Sequence, residues 1–257
     1  MQSSFSSLCR GFIIPKEVDK DTTAHFLDTV GQFARIVNDT GLVHLRRLVG
    51  DEITGTENKA GLVEKYFCLS MENTTALEDI ELGDDGLRVG DKHVSVHTLS
   101  ELDALPGKVG TDCRYERLST DKSDCKLSFA SPVGLLLSCN HLYNQYIFLD
   151  DSGENLQRFE KNARNMQSLS KYSRSNQINK EWIDLYLNDA HSFGLTSVRA
   201  HCNIIAWTDN PMEVKNMRND VGSQIAMMEC KPRHNTVDAA TLYGAAIPGN
   251  GADFPAE

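Results

Sequence analysis

Hydrophobic positions along this chain repeat with two periods, and the switches between them mark out its elements. Residues 5–15 look extended. Phe26, Val30, Phe33 and Val37 then recur at steps of four, three and four, one apolar stripe of a helix that Asp19 or Asp21 caps and Gly41 closes. Residues 42–49 are weakly strand-like. A second helix, capped by Thr56 and running to Leu69, is expected to turn Leu62, Tyr66 and Leu69 inward. Residues 87–99 alternate as a β-hairpin does, with Gly90-Asp91 at the turn and Val94 and Val96 on one strand face. His93 and His97 share the other face. At strand rise they stand roughly 13 Å apart, too far to ligate one metal, and they read as surface histidines. Ser100 to Asp103 has capping-box spacing before a turn that Pro106-Gly107 ends.

The second half is richer in strand signals. Residues 125–130 alternate, and Ser131-Pro132 breaks the run because proline lacks a ladder donor. The short apolar run at 134–139 predicts a buried strand, and 143–149, rich in aromatic and branched residues, predicts another. Asn140, His141 and Asn144 lie beside these runs and read as a turn held by side-chain bonds to backbone. A long helix over 152–170 carries Leu156, Phe159, Ala163 and Met166 as its apolar stripe, expected to pack on the sheet. Another begins at Ser175 or Asn176, stops near Gly194, and is expected to turn Trp182, Leu185, Tyr186 and Ala190 inward. Residues 197–208 form a strong strand. Asp209-Asn210-Pro211 opens a further helix, whose stripe is Val214, Met217, Val221, Ile225 and Met228, core packing rather than a cofactor box. Residues 241–247 predict a last strand.

These elements define an α+β fold. The expectation is a mixed sheet with helices mainly on one face and a β-α-α-β-α-β pattern in the second half, where crossover helices favour parallel neighbours. Two lobes are expected, an acidic one over residues 1–108 and a second over 109–257, meeting near Pro106 to Thr111.

Charge sharpens that division. The 257 residues carry a formal net charge of -10, which argues against unaided binding to a nucleic-acid backbone. Residues 51–91 hold eleven acidic and three basic side chains, whereas residues 155–180 hold six basic and one acidic. The basic stretch is helical, and Arg158, Lys161, Arg164, Asn165 and Lys171 form or flank its outward face. Such a face is either solvated or a docking surface for an acidic partner.

The chemistry of a complete active site is missing. The sequence has no G-x-x-x-x-G-K-[ST], so no phosphate-cradling loop, and no G-x-G-x-x-G, H-E-x-x-H or G-x-S-x-G. Its seven cysteines are odd in number, with no CxxC pair, a pattern of free thiols rather than a disulfide frame. His201 and Cys202 are neighbours on one strand and point to opposite faces, so they are not a catalytic pair. No catalytic, cofactor or metal residue is assigned. A cysteine-dependent hydrolase and a nucleic-acid-contacting module using the basic helix at 155–174 are the alternative readings.

Beyond these patterns, the wording of residues 109–150, of NMQSLSKYSRSNQINK at 165–180, of VRAHCNIIAWTD at 198–209 and of IPGNGADFPA at 247–256 closely resembles the TraG family of conjugative transposon ATPases of Bacteroides-type bacteria. These are relatives of the VirB-type ATPases that energise type IV secretion. The resemblance extends from SSLCRGFIIPKE at residues 6–17 to the end. It implies the region before the motor domain, with the P-loop lysine and magnesium ligands beyond Glu257 and an earlier segment before Met1. The expectation is therefore a non-catalytic docking and assembly module of the ATPase, with no cofactor of its own. The parent would use ATP and magnesium. The implied partners are inner-membrane proteins of the conjugation apparatus, the chain's own motor domain and further copies of the full-length chain, with no direct nucleic acid. The implied location is cytoplasmic, peripheral to the inner membrane.

Overall fold

The computed structural model describes residues 20–41, 44–69, 77–83, 86–99, 104–106, 109, 113–114, 119–123, 126–127, 129–148, 151–251 and 254. The extended segment expected at 5–15 and the capping box at Ser100 to Asp103 lie outside them. The helices are α1 (Lys20–Asp39), α2 (Gly50–Thr54) and α3 (Leu62–Cys68), followed by the strands β1 (Ile80–Gly83), β2 (Gly86–Val89), β3 (Lys92–Thr98), β4 (Cys113–Arg114) and β5 (Lys126–Leu127). Then come α4 (Ser131–Leu136), β6 (Asn140–Phe148), α5 (Ser152–Leu169), α6 (Arg174–Phe193) and β7 (Arg199–Thr208). A 3-10 turn over Pro211–Glu213 leads into α7 (Val214–Met227), β8 (Arg233–Asn235) and α8 (Ala239–Ala246).

The fold is α+β, built on a six-stranded sheet in the order β1-β2-β3-β7-β6, with β8 joined to β3 beyond the end of β2. Every pairing in it is antiparallel. The parallel neighbours expected in the second half are absent, because α5 and α6 together return the chain to pair beside β6 instead of crossing over the sheet. β3 from the first half pairs with β7 from the second over His93↔Thr208 to Thr98↔Asn203, so one sheet passes through both sides of the boundary expected near Pro106.

Helices cover both faces of this sheet, not mainly one. On the first face, Val94 and Val96 of β3 and Ile205 of β7 pack under Leu242, Tyr243 and Ala246 of α8, with Leu69 and Phe254 alongside. The Tyr243 hydroxyl donates to the Tyr66 carbonyl and ties α8 to α3. On the second face, Ile204 and Ala206 pack under Met217, Val221 and Ile225 of α7 and Val133 of α4. The α7 stripe is thus buried as its periodicity requires. Two apolar runs expected as strands are helical. The first half of 134–139 belongs to α4, with Pro132 in its first turn, and most of 241–247 is α8, where alanine and glycine favour close helix packing. Residues 44–49 form no strand. In α1 the expected stripe is present, but none of its residues is buried.

Coverage of both faces also overturns the reading of His97 as a surface residue. Its neighbour Ser95 and His97 itself, at 2% exposure, are buried on the α7 side, with the Ser95 hydroxyl 3.0 Å from the His97 Nε2. Burial, reinforced by His234 and Arg218, pushes the His97 imidazole down to about 4. The unfolded chain takes up this proton at about the ordinary value of 6.5, so the group's contribution to stability is fully present above that pH and is lost as pH falls towards 4. The full loss is about 3 kcal/mol. Urea unfolding should give a free energy that falls between about pH 6.5 and pH 5, more steeply than in His97→Gln. Equal slopes would contradict the neutral, buried imidazole.

The remaining polar groups of the sheet are partnered. The Asn144 amide donates to the Asn203 Oδ1 at 2.8 Å, and Thr98 donates to Asn235 at 2.9 Å. Asn140, His141 and Asn144, read as a turn, lie within β6. His201 stacks on Phe254 at 4.1 Å while Cys202 faces the opposite core, as the strand alternation requires.

Candidate docking surface on the helical hairpin

β6 and β7 pair from Asn140↔Trp207 to Phe148↔Arg199, so the 50 residues between Phe148 and Arg199 leave and re-enter the sheet at one end. They fold into the antiparallel pair α5 and α6. Asp151 caps α5, its carboxylate accepting from the Glu154 N–H at 2.9 Å. Gly194 ends α6 at φ 65, a left-handed position where glycine carries no side-chain penalty. At about 1.5 Å per residue the two helices rise roughly 27 and 30 Å.

The stripe of α5 meets α6 and not the sheet, contrary to the expectation for Leu156, Phe159, Ala163 and Met166. Phe159 lies 5.0 Å from the Tyr186 ring, Ala163 and Ala190 are buried, and Glu160 sits 3.6 Å from His191 across the pair. This arrangement turns Arg158, Lys161, Arg164 and Asn165 outward on α5, and all four are exposed. Lys171 is also exposed, but it lies in the turn between the helices, beside Tyr172 and Arg174. The five candidates therefore share one hairpin without forming one cluster. Arg158 lies 5.9 Å from the centre of the Phe159 ring.

The hairpin has a second surface that the sequence reading missed. Tyr186 and Ala190 do face α5, but Trp182 and Leu185 do not. They are 64% and 62% exposed, and Phe193 on the same side is 75% exposed. With Ile178 they fall at i, i+4, i+7 and i+15, one stripe of the 3.6 period. α6 therefore carries one broad apolar sector, with one edge used against α5 and the other presented to solvent. Its hydrophobic count was a signal for this, because one helix partner covers only part of so wide a sector.

Elsewhere, three of the described thiols, Cys139, Cys202 and Cys230, lack the character of a nucleophile. Burial pushes Cys139 up to about 11 and raises Cys202 and Cys230 as well, the opposite of the shift a reactive thiolate needs. Among the described residues, no group of three or more histidine, cysteine or acidic side chains is placed to hold a metal ion. No helix is long and apolar enough to cross a membrane, again among the described residues. Comparison with protein-family models gave no match, and comparison with curated proteins gave none either.

Proposed function

We propose that this chain is a docking and assembly module of a conjugative-transfer ATPase of the TraG type, located in the cytoplasm and held at the inner membrane through its partners. The module itself is non-catalytic, and ATP and magnesium belong to the motor domain. The reading rests on the resemblance of residues 109–150, 165–180, 198–209 and 247–256. The observation that carries it is the α5–α6 hairpin, whose surface combines an exposed cationic face with an exposed apolar stripe containing a tryptophan. Contiguous exposed apolar groups mark contact sites, and tryptophan is over-represented among residues that dominate binding energy. The favoured occupant is an acidic surface of an inner-membrane protein of the transfer apparatus, since the charge of Arg158 and Lys161 is complementary to it.

Charges at the rim of such a contact act mainly on association rate and register. Arg158→Glu with Lys161→Glu should leave the melting temperature unchanged, since both residues are exposed. In cells carrying the full-length protein it should lower transfer frequency by about tenfold. Unchanged transfer at normal protein levels would show that the cationic face is merely solvated.

A further inference from the structure

Beside α7, the second sheet face holds an open hollow of about 530 Å³. His97 of β3 and His234 of β8 are register partners, with ring centres 5.2 Å apart. Arg218 and Asn219 of α7 also line it, and Gly222, Ala226 and Pro232 form part of its wall.

Three features set this hollow apart from an ordinary gap in packing. First, two buried polar atoms in its lining side chains lack partners: His97 Nδ1 and Arg218 Nε. His97 is 2% exposed, and an unpartnered buried group of this kind requires an explanation. Second, the Ser95 hydroxyl beside His97 Nε2 fits a tautomer in which Ser95 donates and Nδ1 keeps its proton. Nδ1 is then a donor with nothing to bond. Third, no carboxylate lines the hollow among the described residues, although the chain carries a net charge of -10. The groups facing His97 are Arg218 from α7, His234 from β8 and the uncharged Ile204 from β7.

We propose that this hollow binds an oxyanion, with the Arg218 guanidinium supplying fixed charge and planar paired donors and the His97 and His234 rings supplying N–H donors. Arginine matches carboxylate and phosphate oxygens two at a time. Burial foremost, and the Arg218 charge in addition, disfavour protonation of both histidines. A bound anion offsets that effect, so it draws protons onto the rings, and binding must tighten as pH falls.

Sulfate is the first probe, because its charge is constant across the relevant pH range. Acetate tests the carboxylate source. Each is titrated at constant ionic strength while the imidazole and guanidinium NMR signals of the whole chain are followed. Saturable shifts of the His97, His234 and Arg218 signals are expected, with affinity several-fold higher at about pH 6 than at about pH 8. Saturation by sulfate alone assigns a phosphate-type ligand, and saturation by acetate assigns a carboxylate. Arg218→Gln should weaken binding by about tenfold or more. His234→Gln, at an exposed position, should keep the fold and reduce the pH dependence. Non-saturable shifts with both anions, or affinities unchanged by both substitutions, would overturn the proposal.

Discussion

Ile205→Ala should destabilise the whole chain by about 3 kcal/mol, the middle of the range for truncating a buried isoleucine. Ile205 is fully buried in the first core, at the point where β7 pairs with both Val96 of β3 and Leu142 of β6. Leu242 and Tyr243 of α8 belong to the same core, so the truncation leaves a gap beneath them. For a chain of this length the melting temperature should drop by about 6–12 °C. The transition should stay single, because β7 belongs to both cores and joins the strands of both halves. Ile147→Ala provides the control: it lies on β6 of the same sheet but is 58% exposed, and its effect should stay within about 0.5 kcal/mol. Two separate melting steps, or equal losses at the two positions, would contradict a shared sheet.

What the sequence made legible was local. The stripes of α5 and α7, the β2–β3 hairpin around Gly90, the strand β7 and the glycine end of α6 all follow from spacing within a dozen residues. Pairing across the chain was not legible. β3 and β7 lie about a hundred residues apart, and nothing in either strand names the other as its neighbour. The short apolar runs at 134–139 and 241–247 could serve a buried strand or a buried helix equally well, and periodicity cannot separate the two at that length. The alternation at 93–97 was read as one buried and one wet face. Since α7 covers the second face, Ser95 and His97 are buried as well. Of the proposed docking surface, the cationic half was readable from charge along α5. The apolar half was assigned to the core, because a helix sequence shows its stripes but not which of them a neighbour covers.

The second large effect concerns that stripe. Trp182→Ser with Leu185→Ser should leave the fold intact, since both residues are more than half exposed and α6 keeps Tyr186 and Ala190 against α5. Stability should change by no more than about 0.5 kcal/mol, and loss of two apolar side chains from the surface should make the free protein more soluble. Partner binding should fall by about thirtyfold or more, the equivalent of losing a tryptophan anchor worth about 2 kcal/mol. Arg158→Glu with Lys161→Glu should instead slow association and make it less sensitive to salt, with little effect on dissociation. The two double variants thus separate apolar anchoring by α6 from charge steering by α5. A Trp182 and Leu185 variant that bound as tightly as the parent would confine any docking to the cationic side.

The most direct test removes the hairpin altogether. Phe148 and Arg199 are register partners at the ends of antiparallel strands, so a tight two-residue turn can replace α5 and α6 without altering the sheet. The shortened chain should fold with the same sheet and both cores, but the full-length protein carrying this deletion should no longer co-isolate with the inner-membrane transfer proteins or support conjugation. Normal transfer by a stably folded deletion variant would contradict the assignment of docking to the hairpin.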